Sequence, residues 1–289
     1  MENDIPITED ELQEKALYDI IQYLPLDELN LRNGNSIKEI VKEAEKRTDL
    51  PKSAQDAIAE NLPVIKAVIE DRPELGEAKI ANMSWQDNDH DGKPDHPVLG
   101  MQACTFERED QVYISFRGTP KRAWLDNGKA FTPDNVEAEE RYNEKIYNQL
   151  LELEGQRTAR YYLEYRENEK RKKNKEIEER GMLNGVFPPE IYKYTSPMQE
   201  EAIFYIEELK NPADGSTSIF DKYENVYVTG HSKGGNEATL VTIIYPDLID
   251  RCISGSGQGF SPEFVEFVKK NMGEEGFGKI QDKMYGFHG

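Results

Sequence analysis

The sequence predicts an α/β fold in which a mostly parallel sheet is flanked by helices. Three observations lead there. From residue 196 onward helical and β-rich runs alternate, and such alternation is what encloses a parallel sheet between helices. Two adjoining β-rich runs precede them at 102–116, and the first 70 residues read as helical. With 289 residues and 37% hydrophobic content, the chain can bury a sizeable core without disulfides or metals.

In chain order, Thr8 and Glu11 form a capping-box pattern ahead of Leu12, Ala16, Leu17, Ile20, Ile21 and Leu24, a packing stripe that Pro25 ends. Ser36 and Glu39 repeat the box before Ile37, Ile40 and Val41. A third helix is expected over Ala57 to Glu70, kinked or broken at Pro63. Gln102 to Phe106 and Gln111 to Phe116 read as strands joined by the polar turn Glu107-Arg108-Glu109-Asp110. Residues 132–195 alternate charges of both signs around Tyr142, Ile146, Leu150 and Leu153, the pattern of a solvated helical insertion. Further on, helices are expected at Ser196 to Lys210, Asn236 to Tyr245 and Ser261 to Asn271. Strands are expected at Asn225 to Thr229, at Asp250 to Ser254 and within Lys279 to Phe287. The whole reads as one domain over 1–289: helices in 1–75, sheet core in 76–131 and 196–289, and a charged insertion or lid at 132–195.

A formal net charge of −20 argues against a general nucleic-acid binder, because phosphate contacts need a basic surface. No stretch approaches the roughly 18–20 apolar residues of a membrane-spanning helix. The start, Met1-Glu2-Asn3-Asp4, is acidic where a secretory signal is basic. These features imply a soluble chain that is cytoplasmic when made, with export as an effector left open. The basic run Lys170 to Lys175 also suits anionic headgroups, which leaves peripheral membrane contact open. Cys104 and Cys252 are expected as buried free thiols. The oligomeric state is not legible.

The chemistry concentrates in Val226-Tyr227-Val228-Thr229-Gly230-His231-Ser232-Lys233-Gly234-Gly235-Asn236. Here G-x-S-x-G stands between a β-rich run and a helix. A tight strand-to-helix turn holds such a serine strained and exposed, and small residues on either side avoid collision. The helix then points its N-terminal N–H groups at a developing oxyanion. Ser232 is therefore the candidate nucleophile of an α/β-hydrolase-like protein, and the Lys233 N–H a candidate oxyanion donor. A plain glycine-rich connection is the alternative, whereas a phosphate loop lacks its Gly-Lys-Ser/Thr order.

A second segment makes the resemblance more specific. Ser115-Phe116-Arg117-Gly118-Thr119, followed by Trp124 and Asp126 and later by Gly-His-Ser-Lys-Gly-Gly-Asn, resembles the class 3 lipases, and most of all their bacterial lipase-like relatives of unassigned substrate. The resemblance implies a lipase or esterase reaction with Ser232 as nucleophile. It also implies Thr119 as first oxyanion residue, Trp124 at a lid or lid hinge, and Ser256 to Ser261 as the glycine-rich loop after the next strand. Arg117 reads better as a structural residue. No cofactor is required, and the substrate is a small-molecule or lipid ester.

A serine nucleophile needs an acid and a histidine, which in this fold follow it in that order. After Ser232 the sequence offers His288 alone as base, with Asp247, Asp250, Glu263, Glu266 and Asp282 as acids that none of the strand ends singles out. The expectation is a chain that stops short of the triad acid and base. His231 reads as a packing residue. Two other readings stay open: a catalytically incomplete hydrolase-fold binding module, and a phospholipase-type toxin or effector domain.

One more pattern stands apart. Asp87, Asp89, Asp91, Gly92 and Asp95 match the first nine positions of a calcium loop, D-x-D-x-D-G-x-x-D, but Val98 stands where the bidentate glutamate belongs. Weak calcium binding and an acidic surface loop are both compatible with it, and His90 and His96 open the alternative of a transition metal.

Overall fold

The computed structural model describes residues 7–85, 101–118, 148, 151 and 181–287. Helix α1 (Glu9–Ile21) opens with the expected box: Thr8 Oγ1 accepts the Glu11 N–H, and the Glu11 carboxylate accepts the Thr8 N–H at 2.8 Å. Helix α2 (Ile37–Lys46) repeats this with Ser36 and Glu39. Helix α3 (Lys52–Asp71) begins earlier than expected and runs through Pro63. The proline is tolerated because it and Ala59, whose carbonyl loses its partner, both face solvent.

Strand β1 (Lys79–Met83), which the sequence reading missed, pairs antiparallel with β2 (Ala103–Arg108). A turn with Glu109 at φ 56° returns β2 into antiparallel β3 (Gln111–Phe116). From there the sheet is parallel: β3 pairs with β4 (Asn225–His231), β4 with β5 (Arg251–Gly255), and β5 with β6 (Met284–Phe287). The strands lie in the order β1-β2-β3-β4-β5-β6, so this is a mixed six-stranded sheet.

Helices cover both faces. Alternation along the strands sends Val112, Ile114, Phe116, Val226, Val228 and Cys252 to one side, where α4 (Pro197–Lys210), α6 (Lys233–Ile244) and α7 (Pro262–Gln281) pack. Short α5 (Ile219–Lys222) precedes β4 on this side, and α7 is interrupted at Gly273 (φ 75°, ψ 167°). In the stretch 181–195, assigned to the insertion, Phe187 and Ile191 are fully buried in this same core. Cys104, Phe106 and Tyr113 face α1–α3, where Tyr18 stacks on Phe106 at 4.8 Å between ring centroids. Both cysteines are free and buried, and burial pushes the Cys252 thiol up to about 11.

The face of α1 departs from the expected stripe. Ala16 is exposed, while Glu14, Lys15 and Asp19 are buried alongside Leu17 and Ile21. Burying charge is tolerated only where it is paired. Glu14 takes a two-pronged contact from Arg108 at 3.0 and 2.9 Å, Lys15 pairs with Asp19, and Glu11 bonds Arg251. So α1 is held to the sheet by ion pairs as much as by apolar contact.

Candidate functional site

β3, β4 and β5 finish at Phe116, His231 and Gly255, side by side. The carboxyl ends of parallel strands are where α/β proteins gather their sites. Between the end of β4 and the start of α6 there is one residue, Ser232, with φ 55° and ψ −119°. L-amino acids rarely adopt that conformation, and it persists only when the surroundings over-determine it. Two backbone bonds do so here: Ser232 N–H donates to Gly255 O at 2.8 Å, and Asn236 N–H donates to Ser232 O at 3.2 Å.

Steric fit adds to this. A Cβ at Gly230 would overlap the Gly234 carbonyl, and a Cβ at Gly234 would overlap the Phe116 carbonyl at the end of β3. The first turn of α6 thus rests directly on strand backbone, which is why small residues flank the serine at two positions on either side. Ser232 is the N-cap of α6 but makes no side-chain capping bond, and no acidic side chain sits in that first turn. The positive end of the helix dipole is therefore not met by a carboxylate from its own first turn, a setting that favours negative charge beside Ser232.

Lys233 occupies the first position of α6, with its side chain fully buried and Nζ 3.0 Å from Ser196 Oγ. One turn on, Asn236 Oδ1 accepts from Gln199 Nε2 at 2.6 Å, while its Nδ2 donates to Gln258 O at 3.0 Å and Gly259 O at 3.3 Å. These bonds tie the N-termini of α4 and α6 together and fasten the loop after β5 to both. Asn236 and Gln199 were not singled out in the sequence. Asn236 closes the elbow motif, so its place in that run was the available signal.

On the other face of the sheet, His231 Nδ1 lies 2.7 Å from Tyr23 Oη. Asp19 accepts from Thr229 Oγ1 at 3.0 Å and lies 2.6 Å from Lys15 Nζ. Burial raises the Asp19 pKa, with Lys15 opposing it, and burial and then Asp19 raise that of Tyr23. Lys15, Asp19 and Tyr23 recur at four-residue intervals, which was the sequence signal for a shared polar face. Arg117 donates its backbone N–H to Gln102 O at 2.8 Å and its guanidinium to Gln102 Oε1, and burial lowers its pKa.

Residues 191–287 match the Mbeg1-like family model. The Mbeg1-like match takes in α4, β4, the Ser232 turn, α6, β5, α7 and β6, and leaves out α1–α3 and β1–β3. Neither the curated proteins nor the solved structures contain a match. Of the other residues chosen from sequence, Thr119, Trp124, Asp126, His288 and the acidic loop of Asp87, Asp89, Asp91 and Asp95 lie outside the described residues. Gly118 is the last described residue before Thr119. Among the described residues there is no cluster of three or more metal-ligating side chains, and no helix is long and apolar enough to cross a membrane.

Proposed function

We propose that this chain is a serine ester hydrolase of the lipase or esterase type, acting through an acyl-enzyme on Ser232. The observation that carries the proposal is the backbone of Ser232, held at φ 55° between a parallel strand and a buried helix N-terminus. In that reaction Ser232 Oγ attacks the ester carbonyl carbon and gives up its proton to a base, for which His288 is the proposed residue. The oxyanion that forms is held by the Lys233 N–H and by Thr119, each such donor being worth about 2.7–4 kcal/mol in the transition state. Collapse expels the alcohol, and water then releases the acyl group.

The test is incubation with a fluorophosphonate probe and peptide mapping. A single label on Ser232, absent from Ser232→Ala, is the expected result. A folded protein that stays unlabelled at saturating probe overturns the proposal.

A second reading, a hydrolase-fold binding module without turnover, is favoured by one observation. His231, the one histidine among the described residues, is already engaged by Tyr23 on the α1 side of the sheet. Labelling of Ser232 without turnover of activated esters is the outcome that selects this reading.

A further inference from the structure

α4 and α6 run side by side in the same direction. Their N-termini meet where Lys233 Nζ lies 3.0 Å from Ser196 Oγ and Gln199 bonds Asn236. Their C-termini meet where Lys210 Nζ lies 5.8 Å from the centre of the Tyr245 ring. A cleft of about 590 Å³ opens there, at the opposite end of α6 from Ser232. That volume lies in the range of small-molecule sites. Met182, Leu183, Tyr192 and Phe204 give it apolar and aromatic walls, and Glu207 and Lys210 enter it from the last turn of α4. One wall is preformed. Asn184 and Gly185 take positive φ of 49° and 68° in the tight turn between the bridged residues Leu183 and Phe187. Asn184 Nδ2 then fastens this turn to the end of α6 by donating to Ile244 O at 2.9 Å.

We infer that this cleft is a binding site for a small organic ammonium with an apolar or aromatic body. It does not depend on the role of Ser232. The polar groups gathered here suit a cation. Two helix C-termini converge on the cleft, and the negative end of a helix dipole favours positive charge. The Glu207 carboxylate faces it with loose contacts: Lys210 Nζ stands 3.8 Å from one oxygen and Asn211 Nδ2 3.4 Å from the other. Tyr245 is fully buried, and its hydroxyl finds no hydrogen-bond partner among the described residues. Burial first, and then the neighbouring Glu207 carboxylate, raise the Tyr245 pKa. An ammonium entering here donates to the carboxylate and to the tyrosine oxygen together, while its body lies on Tyr192 and Phe204. The position of Lys210 over the Tyr245 ring shows the attraction of this place for a cation. Its side chain is 34% exposed at the helix end, so it can turn out to water as a ligand enters. The net charge of −20 also favours the approach of a cation over that of an anion.

The experiment is calorimetric titration of the full chain with three probes of similar shape: phenethylammonium, 2-phenylethanol and phenylacetate. The ammonium is expected to bind about tenfold or more tightly than the alcohol, the worth of a charge-assisted hydrogen bond, and phenylacetate more weakly than either. Glu207→Gln should abolish the preference for the ammonium. Lys210→Ala should tighten ammonium binding by about threefold or more, because the internal cation that competes for Glu207 is gone and the competent fraction rises. At an anion site the same variant would weaken binding, so its sign decides the charge of the ligand. Lys210→Ala changes a partly exposed residue and stays informative where Glu207→Gln fails to fold. Equal affinities for ammonium and alcohol, a preference that survives Glu207→Gln, or weaker ammonium binding in Lys210→Ala overturns the inference. So does an absence of ammonium binding up to the solubility limit of the probe. None of these outcomes touches the proposal for Ser232, which the labelling experiment tests separately.

Discussion

Lys15 Nζ stands 2.6 Å from Asp19 Oδ2, one turn apart on α1, with the two side chains only 11% and 7% exposed. The pair faces the sheet, where Thr229 Oγ1 and Ser115 Oγ donate to Asp19 Oδ1 at 3.0 and 3.4 Å. A buried charge pair of this kind adds little net stability over an apolar pair, yet losing one partner is costly. The helix is thereby keyed to one register on the sheet.

Lys15→Met leaves the Asp19 carboxylate buried without its cation, and we expect a loss of about 3–5 kcal/mol at neutral pH. The sign of the pH dependence follows from the raised Asp19 pKa. A carboxyl whose folded pKa exceeds its unfolded value binds protons more tightly when folded, so its deficit shrinks as pH falls through the folded pKa. The Lys15→Met deficit should therefore be smaller at mildly acid pH than at neutral pH. Adding Asp19→Leu should recover most of it, since Thr229 still donates to Ile253 O and Ser115 to Tyr18 O. Urea unfolding of the three proteins at two pH values checks this. A single-variant deficit that grows as pH falls contradicts it.

Ser232→Gly isolates the backbone strain. At φ 55° and ψ −119° a residue with a Cβ carries about 1–3 kcal/mol, and glycine loses about 0.5–1 kcal/mol of that gain through its freer unfolded chain. The net expectation is a rise in stability of about 1 kcal/mol, together with complete loss of fluorophosphonate labelling. Calorimetry of the variant measures the first, and a fall in melting temperature would show that Ser232 is not strained by its surroundings.

This turn was legible in the sequence because its requirements are local: a strand, two glycines and a helix within eleven residues. What surrounds it was not. Ala16 was counted in the packing stripe and Glu14, Lys15 and Asp19 were not, because hydrophobic periodicity cannot see that Arg108 will arrive at Glu14, and Thr229 and Ser115 at Asp19, from distant strands. Edge strand β1 went unseen for a related reason. Lys79 and Asn82 weaken its apolar alternation, and its pairing with β2 is supplied by tertiary structure. At Pro63, where a kink or a break was expected, α3 is not broken, since a break is avoidable wherever the orphaned carbonyl faces water.

Glycine substitutions separate close packing from mere turn chemistry. Gly234→Ala drives a methyl into the Phe116 carbonyl, which is backbone in a parallel ladder and cannot step aside. A loss of about 3 kcal/mol or more is expected, at the upper end of overpacking costs. Gly278→Ala is the counterpart. It lies in α7 with no atom within 4 Å of the new methyl, so helix propensity alone predicts a gain of about 0.5–1 kcal/mol. Thermal melts of both variants suffice. Equal and small effects would mean that α6 does not rest on β3 as tightly as described.

Asn236 tests the bolt between α4, α6 and the loop after β5. Its amide donates to two carbonyls, Gln258 O and Gly259 O, while accepting from Gln199. Asn236→Asp keeps the shape but replaces the donor with a second acceptor facing those carbonyls in a buried site. An unsatisfied buried polar group costs about 1–3 kcal/mol, and more when charged, so the loss should exceed about 3 kcal/mol at neutral pH. Burial and the two carbonyls both disfavour the carboxylate, so the introduced acid has a folded pKa raised above its unfolded one. Its deficit should shrink on acidification, as the protonated carboxyl regains one donor. Asn236→Ala lacks a titrating group and should show no such recovery. Amide hydrogen exchange across 256–260 should quicken in both variants at neutral pH, and for Asn236→Asp alone it should slow again when the pH is lowered, after correction for the intrinsic rate. Exchange in 256–260 that stays at wild-type rates in both would place the anchor of this loop elsewhere.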